Sequence, residues 1–264
     1  MKKLSFFVAL AGLLFPTLAV GQRVFDGTWK IDMSKVDFSK KPDVFVLRKG
    51  IYSCKTCTPA YTIKANGKDQ VVKGHPYYDT IAIKVIDDHT IEETDKKGGN
   101  VVTTSTSTVS QGGDTLSFSF NDSSNTNGGP AVSGRGEATR VAKGPAGSNA
   151  ISGSWRTTTI QGLSENAMIF TYKVSGEEIT MVAKTGQIYT AKLGGPDAPM
   201  SGDPGVTSVS VKMAGPNTLE ETDKRNGKVI GVFTMTVAAD GKTAKGSFDD
   251  KLQNRTTAFV ATKQ

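Results

Sequence analysis

Through most of this chain, apolar residues recur at every second position. Ile81, Ile83 and Val85 alternate with Ala82 and Lys84; Leu116, Phe118 and Phe120 with Ser117 and Ser119; Met168, Phe170, Tyr172 and Val174 with polar or small neighbours. A period of two belongs to strands with one face buried and the other wet. No run of helical period with caps interrupts the series, and Thr, Val and Ser dominate it. Gly98-Gly99, Gly112-Gly113, Asn226-Gly227 and Asp240-Gly241 stand where tight hairpins need positive φ. The pattern predicts an all-β protein built of short antiparallel hairpins.

The pattern is written twice. TIEETDKKGGNVV at Thr90–Val102 returns as TLEETDKRNGKVI at Thr218–Ile230, 128 positions on, with eight of thirteen residues identical. At that offset the copies align without a gap from Tyr61 to about Thr115, and upstream GTWK at Gly27–Lys30 matches GSWR at Gly153–Arg156. A repeat this long is a duplicated domain, because solenoid repeats run to about 20–50 residues. It predicts β-barrel repeat 1 over residues 22–143, a flexible linker over 144–150 and β-barrel repeat 2 over 151–264, each barrel with about eight strands.

Turn positions also set a register. With Gly112-Gly113 and Asp240-Gly241 as hairpin centres, Ser107 lies opposite Phe118 while Met235 lies opposite Gly246. Ser105 faces Phe120 where Phe233 faces Phe248, and the pair Val109 and Leu116 becomes Val237 and Ala244. Such trading of volume between cross-strand neighbours is expected of two filled interiors, so no large pocket is predicted.

Ahead of the repeats, MKKLSFFVALAGLLFPTLAVGQ combines two lysines, an apolar run and small residues, which reads as a signal peptide over residues 1–21 cleaved before Gln22. A membrane-spanning helix needs roughly 20 apolar residues, and Pro16 interrupts this run well short of that. No cysteine follows the cleavage point, so a lipid anchor is not expected; no second apolar segment exists, so the mature chain is expected to carry no integral membrane helix. An outer-membrane barrel would turn apolar side chains toward lipid, whereas the outward positions here read Thr, Ser and Lys. A periplasmic or extracellular protein is expected. Lys2 and Lys3 leave with the peptide and no acid does, so the formal net charge falls from +7 to +5. The lysines are scattered without a nucleic-acid-binding motif, and no nucleic-acid partner is expected.

Cys54 and Cys57, in YSCKTCTP, are the only cysteines. Outside the cytoplasm they are expected to form a structural disulfide. A redox site would place the pair at the start of a helix, but the flanks read as strand and Pro59 follows. Zinc would need two further ligands, with only His75 and His89 to draw on, and no metal is expected.

The GTWK and GSWR openings resemble the Gly-x-Trp start of the calycins, the superfamily of lipocalins, avidins and fatty-acid-binding proteins. Two copies, each followed near its end by a basic residue, carry the resemblance. It implies two tandem antiparallel lipocalin-like β-barrels, each with its Trp across the barrel floor under a basic residue from the last strand: Trp29 with Arg140, and Trp155 with Lys263. Departures limit what carries over. Both tryptophans belong to the opening motif, so an avidin-like biotin site is not implied; the segment IDMSKVDFSKKPD is too short for the helix pair of fatty-acid-binding proteins.

Candidate chemistry is sparse. His75 and His89 sit in turn-like contexts and give way to Asp203 and Asn217 in the second copy; they are expected to be solvated loop residues. With no nucleophile, metalloprotease or phosphate-loop motif, no catalytic residue and no cofactor are expected. The repeated EETD is sharper. Because strand side chains alternate, one of Glu92 and Glu93, and one of Glu220 and Glu221, should face inward, where a carboxyl must find a partner or take up a proton. Alternatively each pair sits wet at a barrel mouth against Lys96 or Lys224. Tyr61 and Tyr189 share the inward period and could set a hydroxyl in the lumen. These six residues are the candidate ligand contacts. The expectation is an exported non-enzymatic binding protein for a small lipophilic molecule, with an envelope-protein interaction or inhibitor module working through barrel-end loops as the alternative. Copy one also carries a longer loop, NDSSNTNGGPAVSGRG, as a lid or a tolerated insertion.

Overall fold

The computed structural model describes residues 23–264; the expected signal peptide lies outside the described residues. After a 3-10 turn at Arg23–Phe25, the chain forms β1 (Gly27–Asp37), β2 (Asp43–Arg48), β3 (Ile51–Cys54), β4 (Tyr61–Lys64) and β5 (Gln70–Val71). There follow β6 (Thr80–Val85), β7 (Thr90–Lys97), β8 (Asn100–Val109), β9 (Thr115–Asp122) and β10 (Val132–Lys143). The second half gives β11 (Gly153–Gln161), β12 (Ile169–Ser175), β13 (Glu178–Ala183), β14 (Ile188–Lys192) and β15 (Ala198–Pro199). Last come β16 (Ser208–Gly215), β17 (Thr218–Arg225), β18 (Lys228–Val237), β19 (Thr243–Asp250) and β20 (Arg255–Lys263).

These strands make two nearly closed antiparallel barrels of ten strands each, two more than the repeat pattern suggests because short β4, β5 and their counterparts complete the edges. Both hairpin registers stand as expected, with Ser107 opposite Phe118 and Met235 opposite Gly246. At Gly98-Gly99 and Asn226-Gly227 both central residues take positive φ, the mirror-image turn that matches strand twist. At Gly112-Gly113 and Asp240-Gly241 only the second residue does, because the loop is longer: Ser110 N–H reaches Thr115 O and Ala238 N–H reaches Thr243 O.

Sheet membership does not follow the boundary between the copies. The first barrel runs β4-β3-β2-β11-β10-β9-β8-β7-β6-β5 and the second β14-β13-β12-β1-β20-β19-β18-β17-β16-β15. The opening strand of each copy is thus built into the other copy's barrel. β11 continues from β10 as its hairpin partner and lies against β2, while β1 is inserted between β12 and the carboxy-terminal β20. Residues 144–150, expected as a flexible linker, are pinned instead at the end of the first barrel. Asn149 N–H bonds Leu47 O at 2.9 Å, and Ala150 O accepts from Arg140 at 2.8 Å. The crossings between barrels are residues 38–42 and 162–168.

Each Trp is buried under a cation, with partners exchanged relative to expectation. Lys263 Nζ lies 4.9 Å from the Trp29 ring and Arg140 lies 3.9 Å from the Trp155 ring. The pairing with the other copy's cation follows from strand exchange: β1 meets β20, and β11 meets β10. Both indoles are essentially fully buried and donate to the carbonyl four residues before, Phe25 O and Ile151 O, each at 2.8 Å. The cations bind the same turns, Lys263 through Val24 O at 3.0 Å and Arg140 through Ser152 O at 2.7 Å and Ala150 O. Trp29 belongs to the core of β12–β20 and Trp155 to that of β2–β10, so the two nuclei are separate.

The copies touch through the longer loop of copy one. Asn125 Nδ2 donates to Asp203 Oδ2 at 3.0 Å, and Gln187 Nε2 donates to Asn125 O at 2.7 Å. Tyr77 O–H donates to Asp203 Oδ1 at 3.1 Å, and Arg255 pairs with Asp43 at 2.7 Å. The loop is a brace between barrels, not a lid, because its Asn side chains are engaged with the second barrel.

Strand exchange makes a directional prediction. Trp29→Ala removes a buried indole, a change of about 3–5 kcal/mol, and should strip hydrogen-exchange protection from β12–β20 while β2–β11 keep theirs. Loss confined to the strands of copy one would contradict the topology.

Candidate ligand-binding lumen of the first barrel

Strand alternation on β7 and β17 sorts the EETD residues. Ile91, Glu93 and Asp95 face the first lumen, as Leu219, Glu221 and Asp223 face the second, while the intervening Glu92 and Glu220 point outward. Glu92 pairs with Lys84 at 3.0 Å and Glu220 with Lys212 at 2.9 Å; such surface pairs contribute about 0–1 kcal/mol. Lys96 and Lys224, expected as partners of the glutamates, hold Asp69 and Asp197 instead. Two of the six candidate contacts are therefore outside the barrels, and alternation applied one step further reaches Asp95 and Asp223, which sequence reasoning passed over.

The second lumen is filled. Tyr189 O–H donates to Glu221 Oε2 at 2.5 Å, with both side chains buried. Burial pushes the Glu221 carboxyl well up, with the Asp223 charge adding to it, and pushes the Tyr189 hydroxyl up as well. Both groups are pushed toward their neutral forms inside an apolar core. Met235 and Leu219 are fully buried beside them, and Phe233 stacks on Phe259 with centroids 6.0 Å apart.

The first lumen is hollow. A cavity of about 390 Å³ is lined by Phe45, Tyr52, Tyr61, Glu93, Ser105, Ser107, Phe118 and Trp155, among others. This corrects the expectation of a filled interior. Ser105 and Ser107 stand where Phe233 and Met235 stand in the second barrel, and the phenylalanines meant to compensate do not reach across. Phe118 and Phe120 lie directly over Gly136 and Gly134, their cross-strand partners on β10, with ring carbons where a Cβ would be. Aromatic volume covers bare backbone at the wall, and the space above the serines stays open.

Around this cavity the titratable groups are displaced in one direction. Burial pushes the Glu93 carboxyl up to about 7; Asp95, buried and repelled by the Glu93 charge, is pushed up to about 8, so the two titrate as a coupled pair. Burial, then the charge of Glu93, raises the Tyr61 and Tyr52 hydroxyls. Glu93 shares a carboxyl–carboxyl hydrogen bond with Asp95 and receives none from Tyr61, in contrast to the Tyr189 bond on Glu221, and Asp95 Oδ1 is buried without a partner.

Cys54 and Cys57 form the expected disulfide, and Cys57 lines the cavity. His75 is not a solvated loop residue: it is 8% exposed, stacked on Tyr78 at 4.6 Å and edge-on to Tyr61 at 5.8 Å, and burial lowers its pKa. It lines a second cavity of about 380 Å³ between the barrels, with Tyr77, Asp203, Asp223 and Arg225. His89 is half-buried and its Nδ1 lies 3.1 Å from Val109 O, as Asn217 bonds Val237 O in the second copy, which is a turn-fixing role.

The chain matches no protein-family model, and comparison with curated proteins gives no matching relative. Among the described residues no cluster of three or more His, Cys, Asp or Glu is arranged to hold a metal ion, and no helix is long and apolar enough to cross a membrane.

Raised carboxyls carry a pH signature. Glu93 and Asp95 hold protons in the folded chain that they release when unfolded, so their contribution to stability is full below pH about 4 and is lost as pH rises toward 8. Denaturant midpoints should fall between pH 5 and 8.5, and Glu93→Gln should flatten that slope. A slope unchanged in the variant would mean Glu93 is ionised at neutral pH.

Proposed function

We propose that the first barrel binds a small, largely apolar molecule in its lumen and that the second barrel is a filled scaffold. The cavity of about 390 Å³ carries this reading. Its size falls in the range of about 300–1,000 Å³ typical of small-molecule sites, and it has the usual make-up, aromatic and aliphatic walls with a few convergent polar groups. The comparison within one chain supports it. The same Tyr and Glu are set on the same strands in both barrels, and they are covered by Met235 and Phe233 in one and left open by Ser107 and Ser105 in the other.

The tryptophan floor under a strand-end cation agrees with a calycin relationship, read here as a proposal. With the signal-like segment over residues 1–21, it suggests a carrier working outside the cytoplasm, without catalysis. Recognition of an envelope protein through barrel-end loops has less behind it, since the one long loop is engaged between the barrels.

A filling variant tests the lumen. Ser105→Phe with Ser107→Met copies the second barrel's interior, and should abolish uptake of a neutral naphthalene-based dye that the parent protein binds, with circular dichroism unchanged. Equal dye fluorescence from parent and variant would place binding elsewhere and end the proposal.

A further inference from the structure

We infer that the first lumen is built for an organic cation, a small amine with an apolar body, whose ammonium sits against Glu93. This rests on the lumen reading above and names the class of ligand. Three observations converge on it.

First, the cavity is acidic without compensation. Among the described residues no Lys, Arg or His lines it, although Glu93 does. The cations close by are engaged: Arg140 holds backbone carbonyls behind the Trp155 ring, and Arg255 holds Asp43 and Pro42 O at the rim. Asp95, two residues on and on the same face, is 6% exposed and keeps Oδ1 unpartnered. The pair shares one hydrogen bond and leaves Asp95 Oδ1 unmet, and an incoming ammonium brings three donors.

Second, the wall beside Glu93 is aromatic. Tyr52 and Tyr61 lie 6.3 Å apart between ring centroids, tilted by 40°, and both line the cavity. Ring faces next to a carboxylate suit a cation and not an anion. A ligand carboxylate would instead place a third acid beside two that already resist ionising together.

Third, the second barrel shows the same chemistry quenched from within. There Tyr189 donates to Glu221 and the apolar side chains close over the pair. In the first barrel Tyr61 occupies the position of Tyr189, yet Glu93 faces open space. The tyrosine donor that Glu221 has and Glu93 lacks is the one a ligand would supply.

A matched series reads this directly: phenylpropylamine, phenylpropanol and phenylpropionate, titrated by calorimetry into the full chain at neutral pH. The amine should bind about tenfold or more tightly than the alcohol, the margin a charge-assisted hydrogen bond provides, with the carboxylate weakest. Glu93→Gln should bring the amine down to the level of the alcohol. Glu92→Gln, on the outer face, should leave the order intact. Asp95→Asn serves as the second lumen variant and should also narrow the preference. If the alcohol or the carboxylate binds as well as the amine, or if Glu93→Gln leaves the amine untouched, the cation inference falls while the lumen reading stands. If none of the three binds and the neutral dye is also refused, the lumen reading falls with it.

Discussion

The structure depends on how each tryptophan is held. An indole N–H bonded to the carbonyl four residues earlier, with a cation over the ring bonded to the same turn, locks one strand and its preceding turn onto the neighbouring strand of a barrel. In the first barrel both parts of the lock come from one hairpin, β10 and β11. In the second they come from opposite ends of the chain: Lys263 reaches Val24 O across 239 positions. The protein is therefore fastened end to end, and neither copy is a complete barrel without a strand from the other.

The two copies hold different interiors on one framework. Ladder register, hairpin turns and the inward Glu–Asp column are common to both barrels, since they follow from backbone pairing. The lumens differ only in which side chains fill them. Where Met235 and Phe233 occupy the second interior, Ser107 and Ser105 leave the first open, and buried carboxyls that would otherwise demand an internal donor face a cavity.

Much of the fold is legible in the residues. Alternation at Ile81–Val85 and Leu116–Phe120 marks strands, the Asn226-Gly227 turn fixes its hairpin, and the partners of Ser107 and Met235 follow by counting from turns. Strand exchange is not legible, because GTWK and GSWR are nearly the same sequence and either would fit either barrel. The hollow was missed for a related reason. Pairing places Phe118 opposite Ser107 and also opposite Gly136, and only three-dimensional packing decides that the ring lies on the glycine. Asp95 was within reach, since it is two residues beyond Glu93 on the same face, and the burial of His75 depends on Tyr61 and Tyr78 from other segments.

Cross-linking measures the exchange most directly. Thr28 of β1 lies opposite Thr171 of β12, their hydroxyls 2.9 Å apart, whereas in an unexchanged barrel it would take the place of Ser154 opposite Val44. Under mild oxidation Thr28→Cys with Thr171→Cys should close within a monomer, and peptide mapping should find no bridge in Thr28→Cys with Val44→Cys. The reverse outcome, a bridge from position 28 to 44 and none to 171, would mean that each copy completes its own barrel.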